Sequence, residues 1–304
     1  MKDVNYDVII CGAGPAGLTA AIYSARANLK TLIIEKNIVG GLTAISSNIE
    51  NYPGFEKIDG FTLCQNMLNS ALKFGAEIVY EEITNLDLKN KKVQTNKNGY
   101  RAKSIIICLG VIPRKLNIKN EDKFLGKGIS FCATCDGTFF KNKVAAVIGG
   151  GNSAFENALY LSKICKKVYL IHRSEKFKAF SDLVDSVKKS GNVEFLLNSA
   201  IIELEGHDKL EQITIIKDNK KQVLKSDGLF ISIGYMPNTL KLDLKTDENG
   251  YIVTDENKQT SQSGIFAAGD IRQKSLRQIV TACSDGAVAA TNAFELIHNT
   301  KKKL

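Results

Sequence analysis

Residues 6–36 read YDVIICGAGPAGLTAAIYSARANLKTLIIEK. The short run DVII is followed by a glycine-rich turn, by LTAAIYSA, whose composition suits an amphipathic helix, and by a second apolar run, TLIIE. Apolar runs of this length are typical of buried strands. The order strand, glycine turn, helix and strand predicts a βαβ unit and therefore a parallel sheet.

The turn in this segment has the spacing of a dinucleotide-binding loop. Gly12, Gly14 and Gly17 match G-x-G-x-x-G, and Glu35 stands at the end of the second strand. The first glycine permits the tight turn, the second lets a pyrophosphate approach the backbone, and the third allows close packing of helix on strand. A carboxylate after the second strand binds ribose hydroxyls, so this loop suits FAD or NAD.

A second segment, residues 143–173, repeats the pattern as KVAAVIGGGNSAFENALYLSKICKKVYLIHR. Gly149, Gly151 and Ala154 occupy the three loop positions, and the position that corresponds to Glu35 holds His172, followed by Arg173. A carboxylate would repel a ribose 2′-phosphate, whereas a basic group attracts it. The second loop therefore suits NADP.

The repeats predict a duplicated α/β fold. Residues 93–110 and residues 211–238 each form a predicted hairpin that returns into a buried strand, and residues 264–297 form a short strand, a glycine–aspartate turn and a long helix. The last segment completes no unit of its own, so we expect it to return to the first domain. The prediction is two Rossmann-like, three-layer dinucleotide-binding domains, with the second, residues 115–243, inserted between residues 1–114 and 244–304. The links are expected near Pro113–Arg114 and Leu240–Leu244.

Two cysteines, Cys132 and Cys135, stand in the motif CATCDG. Such a pair could be part of a metal clip, an inert disulfide or a working dithiol. A zinc site needs four ligands, and none of the three histidines flanks the motif. An inert disulfide is unusual in the cytoplasm. The pair lies in the same domain as the NADP-type loop, which favours a redox-active dithiol and no bound metal.

Composition limits the other classes of function. The chain has 304 residues, with 41 basic and 32 acidic residues and a formal charge of +9. Its basic segments are not interleaved with aromatic residues, so we expect no nucleic-acid partner. No run of about 18 apolar residues occurs, so no membrane segment is expected. Seven cysteines, an odd number, argue against a secreted disulfide framework and favour a cytoplasmic protein.

The motifs GAGPAG, IENYPG, CATCDG, GGGNSA, IHR, FAAGD and LRQIVTACSDGAVAA follow one another along nearly the whole chain. In these motifs the sequence resembles the low-molecular-weight, bacterial-type thioredoxin reductases, which are flavoprotein disulfide reductases. The resemblance implies a tightly bound FAD, a transiently bound NADPH, a homodimer and thioredoxin as the protein substrate.

The resemblance also implies where the cofactors bind. The candidate cofactor-binding residues outside the inserted domain are Gly12, Gly14, Pro15, Ala16, Gly17, Glu35, Lys36, Gly41, Leu42, Thr43, Asn51, Gly110, Gly269, Asp270, Arg277, Gln278 and Ile279. The candidates within it are Gly149, Gly151, Asn152, Ser153, Ala154, His172, Arg173, Lys178 and Gly234.

By the same resemblance, Cys135 is the sulfur nearer the flavin, Cys132 attacks the substrate disulfide, and Asp136 serves as general acid or base. The chain departs from the family at Leu42, where a glutamine is usual. It also departs in the phosphate-binding run, where Ser174 and Lys178 replace two arginines. A lysine keeps the charge but lacks the planar fork of an arginine. The weakened run leaves an alternative open, a thioredoxin reductase that takes its electrons from ferredoxin.

Overall fold

The computed structural model describes residues 4–46, 49–239 and 242–301. The chain divides into two compact units, the first formed by Met1–Ile112 with Met236–Leu304 and the second by Pro113–Tyr235. The chain crosses between them in two short strands that pair in a two-stranded sheet, Val111–Pro113 and Tyr235–Pro237.

Before the first crossing the elements are β1 (Val4–Cys11), α1 (Pro15–Arg26), β2 (Thr31–Glu35), α2 (Gly60–Lys73), β3 (Glu77–Tyr80), β4 (Ile83–Asp87), β5 (Lys92–Thr95), β6 (Gly99–Ile107) and β7 (Val111–Pro113). Between the crossings they are α3 (Glu121–Phe124), β8 (Ile129–Ser130), α4 (Ala133–Asp136), β9 (Val144–Ile148), α5 (Asn152–Ser162), β10 (Lys167–Ile171), α6 (Ser181–Lys189), β11 (Val193–Leu196), β12 (Ser199–Glu205), β13 (Gln212–Lys217), β14 (Lys220–Lys225), β15 (Gly228–Ile231) and β16 (Tyr235–Pro237). The chain then forms β17 (Ile265–Ala267) and α7 (Ile279–Lys301). Three short 3₁₀ turns cover Gly41–Thr43, Gly137–Phe140 and Gly269–Ile271.

The first unit is built on one sheet with the order β3-β2-β1-β6-β5-β4. Strand β1 runs parallel to both β2 and β6. The first part of β6 pairs antiparallel with β5, and its last part pairs parallel with β17. The tail segment thus adds a strand to the first sheet, and Val93 of the hairpin of β4 and β5 packs with Ile9 and Cys11 of β1.

Side chains of β1 alternate between the two faces of this sheet, as the strand period requires. Val8 and Ile10 pack in a cluster with residues of α1, α2 and α7, whereas Ile9 and Cys11 pack on the opposite face with Val93 of the hairpin. Both faces are therefore buried, which explains why the strand is a continuous apolar run.

The second unit repeats this arrangement with a parallel sheet of order β11-β10-β9-β15-β8. Val147 of β9 packs with Phe155 of α5, and Ile148 packs on the other face with Ile213 and Ile215 of the antiparallel sheet β12-β13-β14. Each unit is a three-layer arrangement of helices, parallel strands and antiparallel strands.

The predicted fold class is confirmed: two Rossmann-like units are present, and the second is inserted in the first. The crossing points, Ile112–Pro113 and Tyr235–Met236, differ from the limits of 114/115 and 243/244 expected from the sequence. The return comes earlier because the backbone N–H of Asn238 already donates to the Gly110 carbonyl at 3.1 Å. Of the expected second link, residues 240 and 241 lie outside the described residues. No helix in the described part of the chain is both long and apolar enough to cross a lipid bilayer.

Candidate active site

The glycine loop between β1 and α1 needs two of its glycines for its own packing. Gly12 has φ of +103°, and a Cβ there would lie 2.5 Å from the carbonyl oxygen of Cys108. A Cβ on Gly17 would overlap the carbonyl oxygen of Gly12. Any side chain at these positions would therefore distort the turn or push the helix away from the strand.

The packing of the loop does not, in contrast, require a glycine at position 14. The φ of −73° and ψ of 177° of Gly14 are extended values that any residue adopts, and a Cβ on it would have no heavy atom within 4 Å. Gly14 precedes a 12-residue helix whose first residue is Pro15. The open space at this helix N-terminus suits a phosphate group, which backbone N–H groups and the helix dipole would bind.

The Glu35 carboxylate lies beside this loop. One oxygen accepts a hydrogen bond from Ala13 N and the other from Asn37 N, both at 2.9 Å. The loop therefore holds the acid that the sequence predicts for ribose. The neighbouring Lys36 instead forms an exposed ion pair with Glu82 at 3.1 Å.

Further candidates come from other parts of the first unit. In the turn Gly41–Thr43, a Cβ on Gly41 would come within 4.0 Å of Gly14 Cα, while the Leu42 side chain is exposed. The Asn51 amide donates to Gln278 Oε1 at 2.9 Å, which joins two candidates that are 227 residues apart.

Asp270, in the turn after β17, has a buried carboxylate oxygen, Oδ1, without a hydrogen-bond partner. Burial raises the pKa of this carboxyl, although Lys274 and Arg277 partly offset the effect. The Arg277 guanidinium lies 4.0 Å above the Tyr251 ring, and its Nε contacts the Asp270 carbonyl at 3.5 Å. A buried acceptor without a donor is costly. The hydroxyl groups of a FAD ribityl chain would satisfy it, so the residues of the first unit fit FAD.

The loop between β9 and α5 shows the same division among its glycines. Gly149 has φ of +149°, and a Cβ on it would overlap the Ser232 carbonyl oxygen. A Cβ on Gly150 would overlap the His172 ring. Gly151 has φ of −100° and ψ of 179°, and a Cβ on it would have no heavy atom within 4 Å. The third loop position, Ala154, lies with Asn152 and Ser153 in the first turn of α5.

The basic segment after β10 folds back over this loop. The Lys178 N–H donates to the Gly150 carbonyl at 2.7 Å, and His172 Nε2 lies 2.9 Å from Ser174 Oγ and 3.2 Å from the Lys176 carbonyl oxygen. The side chains of Arg173 and Lys178 are exposed. The segment thus presents two cations beside the loop, while the histidine ring is held by its own neighbours.

Two candidates in the second unit, Asn152 and Gly234, accept hydrogen bonds from backbone N–H groups. The Asn152 side-chain oxygen accepts from Phe180 N at 2.9 Å, which ties the helix start to the segment before α6. Gly234 has φ of +93°, and its carbonyl accepts from Arg114 N at 2.9 Å. Gly234 therefore lies where the chain leaves the second unit.

Cys132 and Cys135 form a disulfide with their Cα atoms 5.4 Å apart. Cys132 is half-buried and Cys135 is exposed. The Cys132 sulfur accepts from Cys135 N at 3.2 Å and lies 3.3 Å from Thr134 Oγ1. The described residues contain no cluster of three potential metal ligands.

Ser130 and Asp136 flank the disulfide. The Ser130 hydroxyl donates to Asp136 Oδ2 at 2.6 Å and accepts from Cys132 N at 3.0 Å. The acid that the sequence singles out is thus held next to the dithiol by a serine that sequence reasoning did not select.

Asn157 on α5 is a second residue that the sequence did not suggest. Its Nδ2 donates to Ser232 Oγ at 2.8 Å, and its oxygen accepts from Ala133 N at 3.3 Å. One amide therefore joins the dithiol turn to the strand end behind the second glycine loop. The residue stands in an ordinary helical pattern, and no local signal distinguishes it.

Comparison with known proteins agrees with this arrangement. Residues 6–286 match the family described as pyridine nucleotide-disulphide oxidoreductase. A thioredoxin reductase from Listeria innocua is 45% identical over 98% of this chain and 96% of its own length. The crystal structure of Lactococcus lactis thioredoxin reductase is 40% identical, with a TM-score of 0.87 over 97% of this chain and 99% of that one. A more distant match is a ferredoxin-flavin thioredoxin reductase from Clostridium acetobutylicum, 28% identical with a TM-score of 0.55 over 98% of this chain and 100% of that one. The chain therefore belongs to the pyridine nucleotide-disulphide oxidoreductase family and, within it, to the thioredoxin reductases.

Proposed function

We propose that the chain is a FAD-dependent thioredoxin-disulfide reductase that takes its electrons from NADPH. The observation that carries the proposal is the Cys132–Cys135 disulfide in a unit whose glycine loop keeps an open position at Gly151. The ferredoxin-fed alternative is not favoured, because the thioredoxin reductase relative is 45% identical and the ferredoxin-flavin enzyme 28% identical.

FAD held by the first unit would supply the electron pair, taken from NADPH, that reduces the Cys132–Cys135 disulfide. Reduction converts the disulfide to two thiols with two electrons and two protons. Cys132 gives its proton to Asp136 and attacks the thioredoxin disulfide as a thiolate, which forms a mixed disulfide and releases one thioredoxin sulfur that Asp136 protonates. Cys135 attacks the Cys132 sulfur, which restores the disulfide and releases reduced thioredoxin.

The contacts of Cys132 support its role as the attacking sulfur. The backbone N–H of Cys135 and the Thr134 hydroxyl both lie within hydrogen-bond reach of the Cys132 sulfur. Donors directed at a sulfur stabilise its charged form, and the thiolate is the nucleophile.

In this proposal the first unit holds FAD, with the pyrophosphate at Gly14, the ribose at Glu35 and the ribityl chain near Asp270. The second unit holds NADPH, with the pyrophosphate at Gly151 and the 2′-phosphate at Arg173. The support is the open space at both glycines and the unpartnered oxygen of Asp270.

The identity of the electron donor can be tested at Ser174. Losing one charge-assisted hydrogen bond of roughly 1.5–3 kcal/mol weakens NADPH by about 10- to 100-fold relative to an intact arginine run. Ser174→Arg should therefore lower the NADPH concentration needed for half-maximal flavin reduction and leave NADH nearly unchanged. Stopped-flow flavin reduction by both nucleotides measures this.

A matched control is Ser186→Arg, which adds the same charge at an exposed position of α6 and should change neither nucleotide. Flavin that is reduced by neither nucleotide in the wild type but rapidly by reduced ferredoxin would replace NADPH with ferredoxin as the donor.

We also infer that the protein is a homodimer. A groove of about 320 Å³ between α1 and α7 is lined by Tyr23, Arg26, Ala27, Ala290, Thr291 and Phe294.

Light scattering should give twice the chain mass of 33.3 kDa at micromolar concentration. Tyr23→Asp should shift the mass toward one chain, because it places a charge in an apolar contact. Tyr80→Asp, at another exposed tyrosine that lies outside the groove, should not. A wild type that scatters as a single chain would end this inference.

Cysteine chemistry supports a cytoplasmic location. Cys11, Cys64, Cys108, Cys165 and Cys283 are free thiols, and all but the last are buried. Free thiols persist where glutathione and thioredoxin keep cysteines reduced.

A further inference from the structure

Asp285 on α7 is a buried carboxylate with four hydrogen bonds. Its Oδ2 accepts from Gly269 N at 3.2 Å, Arg272 Nε at 2.8 Å and Lys274 Nζ at 2.9 Å, and its Oδ1 accepts from Arg272 Nη2 at 2.9 Å. The residue is only 4% exposed. Burial raises the pKa of this carboxyl, but the bonds from Arg272 and Lys274 lower it below its usual value, so the group is charged.

The residue after Asp285 lies against the first glycine loop. A Cβ on Gly286 would overlap the carbonyl oxygen of Ala16, the second residue of α1. A Cβ on Gly269 would lie 2.8 Å from the Ala16 Cβ. Helix α7 and the Gly269–Asp270 turn therefore both contact α1 at the same residue.

Asp285 stands at the meeting point of these elements. It binds the backbone of Gly269, and its helix contacts Ala16 through Gly286. Arg277 Nη2 also contacts the Arg272 carbonyl at 3.5 Å. The turn that carries Asp270 is thus held by the charged cluster around Asp285 and by Arg277.

We propose that Asp285 is a positioning residue for FAD, which holds the Gly269–Asp270 turn against the glycine loop through its ion cluster with Arg272 and Lys274. This inference rests on FAD binding in the proposed function. Asp285 needs no contact with the cofactor, because its effect passes through the backbone of Gly269 and the packing at Ala16.

The replacement Asp285→Asn tests this role. The amide keeps the shape of the side chain but leaves Arg272 and Lys274 buried without their counter-charge. The turn should then move, and the FAD dissociation constant should rise about tenfold, which corresponds to about 1.4 kcal/mol. Titration of the apoprotein with FAD, followed by flavin fluorescence, measures the constant.

Thermal unfolding separates positioning from a general loss of stability. A ligand stabilises a protein according to its concentration relative to its dissociation constant. We expect Asp285→Asn to lower the unfolding midpoint of the FAD-bound protein more than it lowers that of the apoprotein. Equal losses in the two forms, with an unchanged dissociation constant, would overturn the inference.

The matched control is Glu121→Gln in the second unit. Glu121 is also 4% exposed, and its carboxylate accepts from Leu116 N and Asn117 N at 2.9 and 2.7 Å. This variant loses a buried charge of the same kind, so its unfolding midpoint should fall while its FAD dissociation constant stays that of the wild type. A rise in that constant as large as in Asp285→Asn would overturn the inference.

Lys274→Met provides a second test if Asp285→Asn does not fold. It removes one of the three donors to Oδ2, and the FAD dissociation constant should rise by about threefold, or about 0.6 kcal/mol. The double variant should bind FAD about threefold more tightly than Asp285→Asn alone, because it also removes the cation that Asp285→Asn leaves without a counter-charge. An unchanged constant in Lys274→Met would overturn the inference. Wild-type apoprotein that takes up no FAD would instead overturn the proposed function.

Discussion

Replacing Cys135 with serine is expected to lower thioredoxin reduction at least about 1,000-fold, while the protein still binds FAD and NADPH still reduces the flavin. The loss follows because a serine oxygen cannot take part in disulfide exchange, so the electron pair cannot leave the flavin through the protein. NADPH-dependent reduction of thioredoxin measures the loss, and anaerobic bleaching of the flavin measures the part that should survive.

Cys132→Ser should abolish thioredoxin reduction equally but leave a different signature. Cys135 then remains as a free thiolate, and we expect long-wavelength charge-transfer absorbance with the flavin. Cys165→Ser is the control, because its sulfur donates to the Phe140 carbonyl at 3.3 Å and a hydroxyl can make the same hydrogen bond. If Cys135→Ser produces the band and Cys132→Ser does not, the roles of the two sulfurs are the reverse of those proposed.

The second large effect is expected at the first glycine loop. Gly14→Ala should leave the unfolding midpoint of the apoprotein unchanged, because its backbone angles are ordinary and a Cβ has no neighbour within 4 Å. The methyl group should instead meet the bound cofactor. Forcing one methyl into a filled site costs about 1–3 kcal/mol, so FAD binding should weaken about 5- to 150-fold.

Gly17→Ala should behave in the opposite way. Its Cβ would overlap the Gly12 carbonyl oxygen, so the apoprotein itself should unfold at a lower temperature. Gly151→Ala, at the corresponding open position of the second unit, should weaken NADPH and leave FAD affinity unchanged. FAD titration, NADPH titration and thermal unfolding of the three variants distinguish these cases. A Gly14→Ala protein that binds FAD as the wild type does would show that the cofactor does not approach the loop there.

Much of the fold was predictable because its signals are local. Each βαβ unit, in residues 6–36 and 143–173, is encoded within about 30 consecutive residues. The apolar pattern and the glycine spacing within that segment are enough to predict its strands, turn and helix. The same holds for the predicted hairpins, whose strands β5 and β6 and strands β13 and β14 are neighbours in the chain. The CATC pair was recognisable for the same reason, since both sulfurs belong to one turn.

Other parts of the candidate site depend on residues that are distant in the chain. Asn157 and Ser232 are 75 residues apart, and Asp285 and Gly269 are 16 apart. In the sequence Asn157 is one polar residue of a helix, and Asp285 is one acid before a glycine. These two side chains reach their hydrogen-bond partners only when the fold brings strand ends and helices together, so no local pattern identifies them.

The two dinucleotide-type units and the dithiol could be predicted from the amino-acid order alone, because spacing within one turn is enough to specify a loop or a cysteine pair. The sequence predicts a role for each glycine from its position in the loop, whereas the backbone atoms that require Gly12 and Gly149 are seen only in the folded chain. Gly12 is required by the Cys108 carbonyl after β6 and Gly149 by the Ser232 carbonyl after β15, whereas Gly14 and Gly151 leave open space around a Cβ. The physical reason is that the space around a Cβ is set by whichever backbone the fold places beside it, and that backbone lies about 80 to 100 residues away in the chain.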